Sequence, residues 1–151
     1  MMIVDSGTKP TTARPDRVGS TMGDRRAVHL GDPGRFIRMS DFVIREWTLD
    51  PSPTLQAPRH IHHQDDEAFV VLAGRLVVED SGVWHDLGPG DHHVVSAGSV
   101  HTFATVGDEP VRILCVMSEE IDRLVTALQD PNKRADRLVW AAHQSSVVDL
   151  V

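Results

Sequence analysis

The chain reads as an all-β fold, a small barrel or double-sheet jelly roll, followed by a short helical extension. Three observations predict this. Short apolar runs alternate with turn residues from Arg35 to Met117. Glycine and proline punctuate those runs at regular intervals, as in many-stranded antiparallel folds. After Ser118 the apolar period changes from two to about 3.6, the repeat of a helix.

The elements follow in order. Phe36 to Met39 is a first apolar run, stopped by Ser40-Asp41. Phe42 to Leu49 alternates, with Val43, Trp47 and Leu49 on one face and Phe42, Ile44 and Glu46 on the other. Pro51, Pro53 and Pro58 mark a loop. Ala68 to Glu79 reads as a long strand interrupted or kinked at Gly74, and Asp80-Ser81-Gly82 as a hairpin turn into Val83 to Leu87. Gly88-Pro89-Gly90-Asp91 is another tight turn, after which His92 to Ser96, Val100 to Val106 and Val111 to Met117 read as strands. Ser118 can cap a helix whose first turn carries Glu119 and Glu120, acids favoured at that end of the helix dipole. Ile121, Leu124, Val125 and Leu128 form its apolar stripe. Pro131-Asn132 breaks it, and Arg134 to His143 reads as a second helix. Val147 to Val151 is an apolar tail suited to a packing or dimer contact. The expected organisation is a flexible N-terminal arm over residues 1–27, a β-domain over 28–117 and a helical extension over 118–151.

Composition removes several function classes. The net charge of −7 and scattered arginines argue against a nucleic-acid surface. No apolar stretch approaches the ~20 residues of a membrane span, and no signal-peptide core is present, so a cytoplasmic protein is expected. Cys115 is the only cysteine, which excludes an intramolecular disulfide and a thiolate zinc cluster. It alternates with Val111, Ile113 and Met117 and reads as a buried, inert thiol. The chain has no tyrosine, so no mechanism can use a tyrosine acid or base.

The chemistry concentrates in His60-Ile61-His62, Glu67 and His101. Residues two apart on a strand share a face, so His60 and His62 can reach one point. Glu67 adds an oxygen donor, and His101 can add a third nitrogen from another strand. Three imidazoles and a carboxylate suit one divalent transition metal: iron, manganese, nickel, cobalt, copper or zinc. Parity raises a difficulty, because Glu67 is an odd step from His62 and a straight strand would point it away. A loop or bulge in His63-Gln64-Asp65-Asp66 is the expected remedy. His63, Asp65 and Asp66 otherwise read as solvated, as do Arg35, Arg38, Arg45, Arg59 and Arg75, one of which could turn inward to fix a substrate carboxylate. His92 and His93 point oppositely, so one could face the cavity as an acid or base.

The spacing His60-x-His62, four residues, Glu67, six residues, Gly74 resembles the first motif of the cupin superfamily. Gly90, five residues, Ser96, one residue, Gly98, two residues, His101 resembles the second. Thr54, Ser96 and Thr105 depart from the usual glycine, proline and asparagine, at turn-shaping positions rather than ligand positions. The resemblance implies a closed jelly-roll β-barrel with His60, His62, Glu67 and His101 as metal ligands, as in small quercetinase-like members. It further implies a metal-dependent dioxygenase acting on a small enol, diol or aromatic metabolite, with iron the expected metal and Glu67 also accepting a substrate proton. The alternatives are non-oxidative isomerisation, decarboxylation, cyclisation or elimination with the ion as Lewis acid, and a non-catalytic small-molecule-binding module. A homodimer is expected, because exposed sheet edges invite cover by a second copy.

Overall fold

In the computed structural model, residues 36–148 are described; the expected N-terminal arm and the end of the apolar tail fall outside them. Among the described residues, ten strands form two antiparallel sheets. One has the order β1 (Phe36–Arg38), β2 (Val43–Leu49), β9 (Val111–Met117), β4 (Glu67–Ala73), β7 (His92–Val95). The other runs β10 (Ser145–Val147), β3 (His60–His62), β8 (His101–Thr105), β5 (Leu76–Asp80), β6 (Val83–Leu87).

No strand belongs to both sheets, and β1, β7, β10 and β6 remain edges among the described residues. The closed jelly-roll β-barrel expected from the sequence is therefore overturned: the sheets stay open. Strand spacing dictates which neighbours pair through short turns, but closure depends on edge-to-edge hydrogen bonds that leave no mark in an alternating pattern. The sheets share a core. Phe69 and Val71 of β4 and Ile113 of β9 are buried in one cluster with Leu76 and Val78 of β5 and Phe103 of β8. The Phe69 and Phe103 rings lie 5.0 Å apart across the gap.

Period-two burial sets which side chains enter that gap. In β4, Glu67, Phe69 and Val71 are buried while their neighbours are less so; in β9 the buried set is Val111, Ile113, Cys115 and Met117. The predicted long strand from Ala68 is interrupted at Gly74, and its halves, β4 and β5, lie one in each sheet. Gly74 makes the crossing at φ +79°, and a Cβ there would come within 3.0 Å of the Pro110 carbonyl oxygen. Both the left-handed backbone and the close approach require glycine.

The helical extension forms as α1 (Glu119–Ala127) and α2 (Arg137–Ala142), joined through a 3-10 turn at Pro131–Lys133. Ser118 Oγ accepts from the Ile121 amide at 3.2 Å, and Ile121 and Leu124 are buried. Asp122, also buried, ion-pairs with Arg45 of β2 and so ties the helix to the first sheet. The chain then returns as β10, a strand the sequence reading did not foresee. It pairs with β3 in the register Ser145↔His62, Ser146↔Ile61, Val147↔His60.

Candidate metal centre

His60, His62, Glu67 and His101 are all buried, and one ligand atom from each lies within 4.8 Å of the others. Three strands deliver them. β3 puts His60 and His62 on its inward face, and β8 sets His101 directly opposite His60 in the ladder. Glu67 comes from β4 in the facing sheet. This meets the parity difficulty by the loop, one of the two expected remedies. No bulge re-aims Glu67; residues 63–66 carry the chain across the gap, and the carboxylate meets the imidazoles from the other side.

Hydrogen bonds at the far side of each ring fix its tautomer. His60 Nδ1 lies 2.7 Å from the Pro58 carbonyl oxygen and His101 Nδ1 lies 3.1 Å from that of Ser99. A carbonyl can only accept, so both Nδ1 atoms carry hydrogen. His62 Nδ1 meets Ser145 Oγ at 2.8 Å, and that hydroxyl donates to the His143 carbonyl at 3.0 Å. Its one hydrogen is thereby used, so His62 Nδ1 must donate to it. In the neutral rings all three Nε2 atoms then offer lone pairs. His101 Nε2 lies 3.1 Å and His62 Nε2 3.4 Å from Glu67 Oε2. Acceptor facing acceptor in a buried space calls for a cation between them.

The electrostatics agree. Burial, reinforced by the charge of His101, pushes His60 down to about 3, so its lone pair stays available. For Glu67, burial raises the carboxyl pKa, but the adjoining His101 and His62 rings outweigh it and hold the group well below the usual range. Burial lowers His101, yet its hydrogen bond to Glu67 and that residue's charge leave it raised. The cluster suits one divalent metal ion, and its three nitrogens and one oxygen fit the borderline first-row metals.

The other carboxylate oxygen, Glu67 Oε1, accepts from Cys115 Sγ at 3.1 Å. Burial and the nearby Glu67 charge push this thiol well above its usual pKa, so it keeps its hydrogen. The cysteine is buried as expected, but in contact with the site.

A cavity of about 550 Å³ opens onto His60, His62 and Glu67. Trp47, Phe103, Leu124, Leu128 and Trp140 supply apolar wall, and Gln56, Gln129 and Arg134 add polar groups. The volume is that of a small-molecule site. Trp140 is buried with its ring 5.1 Å from that of His60, and its indole N–H donates to the Arg134 carbonyl. The sequence reading missed Arg134, Trp140 and Ser145 as contributors, because all lie far along the chain from the motif residues.

Other candidates fall elsewhere. Arg45, Arg59 and Arg75 pair with Asp122, Glu79 and Asp86 and do not line the cavity; the side chains of Arg35 and Arg38 lie outside those described. His92 is exposed, and His93 binds Asp80 at 2.9 Å and stacks on His85, so neither lines the cavity. Asp66 accepts from the Ala97 amide and Asp65 from Ser118 Oγ, holding turns rather than standing free in solvent.

The fold and site define a two-sheet β-protein with a buried histidine–carboxylate cluster suited to a metal ion. Residues 46–117 match the family model described as Cupin domain, and this stretch of the chain is a cupin domain. No curated protein matches the chain. Among solved structures, the TT1209 protein of Thermus thermophilus is 22% identical with a TM-score of 0.50, over 58% of this chain and 87% of that one, a likeness of fold. A cupin-superfamily sugar phosphate isomerase from Silicibacter pomeroyi is 31% identical with a TM-score of 0.48, over 54% of this chain and 52% of its own. A cupin protein from Bacteroides fragilis is 20% identical with a TM-score of 0.47, over 53% and 67%. The chain thus spans about half the length of the isomerase it matches. The superfamily expected from the motifs holds, and the match does not extend to the quercetinase-like subgroup.

Proposed function

We propose that this protein is a metal-dependent enzyme of non-oxidative type, an isomerase, decarboxylase, cyclase or lyase acting on a small carbonyl or carboxylate compound. The observation that carries the reading is the convergence of three Nε2 lone pairs and Glu67 Oε2 on one point beside a small-molecule cavity. The metal ligands in this reading are His60, His62, Glu67 and His101. A bound divalent ion supplies Lewis acidity to a substrate oxygen. The chain's part is to bind, orient and keep water out. Trp47, Phe103 and Trp140 provide apolar contact for the substrate body. Of the two acids lining the cavity, Glu46 is engaged by Arg112 at 2.6 Å, which leaves Glu67 as the carboxylate placed to take a substrate proton.

The same donor set suits an iron dioxygenase, the second reading. The separating experiment is turnover of 2-oxo acids, 3-oxo acids and diketones by protein loaded in turn with iron, manganese, nickel and zinc, with and without oxygen. Anaerobic conversion is expected. Activity that appears only with oxygen uptake would replace this reading with the dioxygenase. Glu67→Gln is expected to keep bound metal yet lose turnover, and near-normal rates in that variant would remove Glu67 as the base.

A further inference from the structure

The inward face of β9 is apolar at Val111, Ile113 and Met117 and interrupted once, by Cys115. Cys115 lies opposite Phe69 in the β9–β4 ladder, two residues along from the pair Glu67↔Met117. Its fully buried sulfur sits 3.1 Å from Glu67 Oε1, while His101 and His62 face Oε2. The two carboxylate oxygens therefore have different partners: a donor from the sheet behind, and the imidazoles in front. A carboxylate with no such restraint can turn and grip a cation through both oxygens.

We propose that Cys115 is a positioning residue for the metal centre: its S–H engages Glu67 Oε1 so that the carboxylate presents only Oε2 to the ion. The chain then offers four donor atoms rather than five. A six-coordinate ion held this way keeps two positions for a chelating substrate, and a carboxylate bound through both oxygens would take one of them. This inference rests on the metal reading above. Serine at this position retains a donor, whereas valine approximates the thiol's volume and donates nothing.

The test uses the full chain and Co(II) as the probe, comparing wild type with Cys115→Ser and Cys115→Val. Affinity is read by competition with a metal indicator, and the coordination number by the intensity of the visible absorption bands. Acetohydroxamate, a two-oxygen chelator, then reports on the open positions. Cys115→Val is expected to change the Co(II) spectrum and weaken acetohydroxamate binding by about tenfold, the lower range for loss of a ligand's supporting hydrogen bond. Cys115→Ser is expected to restore both towards wild type. Circular dichroism confirms the fold of each variant, and Cys115→Ala takes the place of valine if packing suffers. A valine or alanine variant with the wild-type spectrum and wild-type acetohydroxamate affinity would overturn the proposal while leaving the metal reading intact. Serine behaving like valine would also overturn it, by showing that volume rather than the donor matters. A wild-type protein that binds no Co(II) would take down the metal reading and this inference together.

Discussion

Residues 46–117 and residues 118–148 divide the labour of the site unequally. The first stretch, the cupin domain, contributes all four donor residues and the thiol behind Glu67. The second contributes none of the donors, yet Ser145 accepts from His62, and Trp140 lies beside His60. Leu124 and Leu128 complete the cavity wall. Donor atoms define which ions can bind; the groups behind them define how firmly each ring is held and how dry the site stays. A motif search finds the first contribution and is blind to the second.

The largest expected effect breaks the first half of this division. His101→Ala removes a donor from the middle of the cluster and should weaken metal binding by on the order of 100-fold. Metal content after dialysis checks it, and one ion per chain retained would mean the donors lie elsewhere. Next comes the tie between the two stretches. Asp122→Ala removes the carboxylate from a largely buried ion pair with Arg45 and should cost about 3 kcal/mol, read from urea unfolding. A loss below about 1 kcal/mol would mean that the helix is held by apolar packing alone.

Acidity sharpens the comparison further. His60 titrates near 3 when folded and near 6.5 when unfolded, so between those values the unfolded chain binds the extra proton. Ion-free protein should therefore lose stability as pH falls from about 6.5 towards 3, by up to about 1.4 kcal/mol per pH unit. His101 runs the other way: its folded pKa is raised, so its contribution is complete below 6.5 and is lost as pH climbs through the raised value. Stability without metal should peak near pH 6.5. Trp140→Ala, by letting water reach His60, should flatten the acid limb of a urea-midpoint profile; an unchanged slope would show that α2 does not control the burial of that ring. The smallest effect isolates one hydrogen bond. Ser145→Ala should weaken metal binding about tenfold without unfolding the chain, and unaltered affinity would reduce the second stretch to a passive cover.

The four donor residues were legible because chemistry and spacing agree: two histidines two apart, a carboxylate, and a third histidine after a glycine turn. Their convergence was legible too. Parity along one strand called for a loop or bulge before Glu67, and a loop forms; that it carries the chain to the other sheet was not legible, because alternation carries no information across such a crossing. Gly74 hid a second crossing of the same kind, between β4 and β5. The open sheets were not legible, since closure is a property of edges far apart in the chain. Neither was β10: Ser145-Ser146-Val147 is too short and too polar to announce a strand, and its partner β3 lies over 80 residues upstream, the His62–Ser145 separation being 83. Helix boundaries shifted modestly, with Asp136 rather than an earlier residue capping α2.

The pairing of β10 with β3 has a practical corollary. An excision that follows the recognisable family boundary, ending near Met117, would preserve every motif letter while stripping the neighbour from β3, the strand that carries both His60 and His62. Such a fragment would look intact on paper and behave as a crippled chelator at the bench. Modularity in sequence, for this chain, is not modularity in matter.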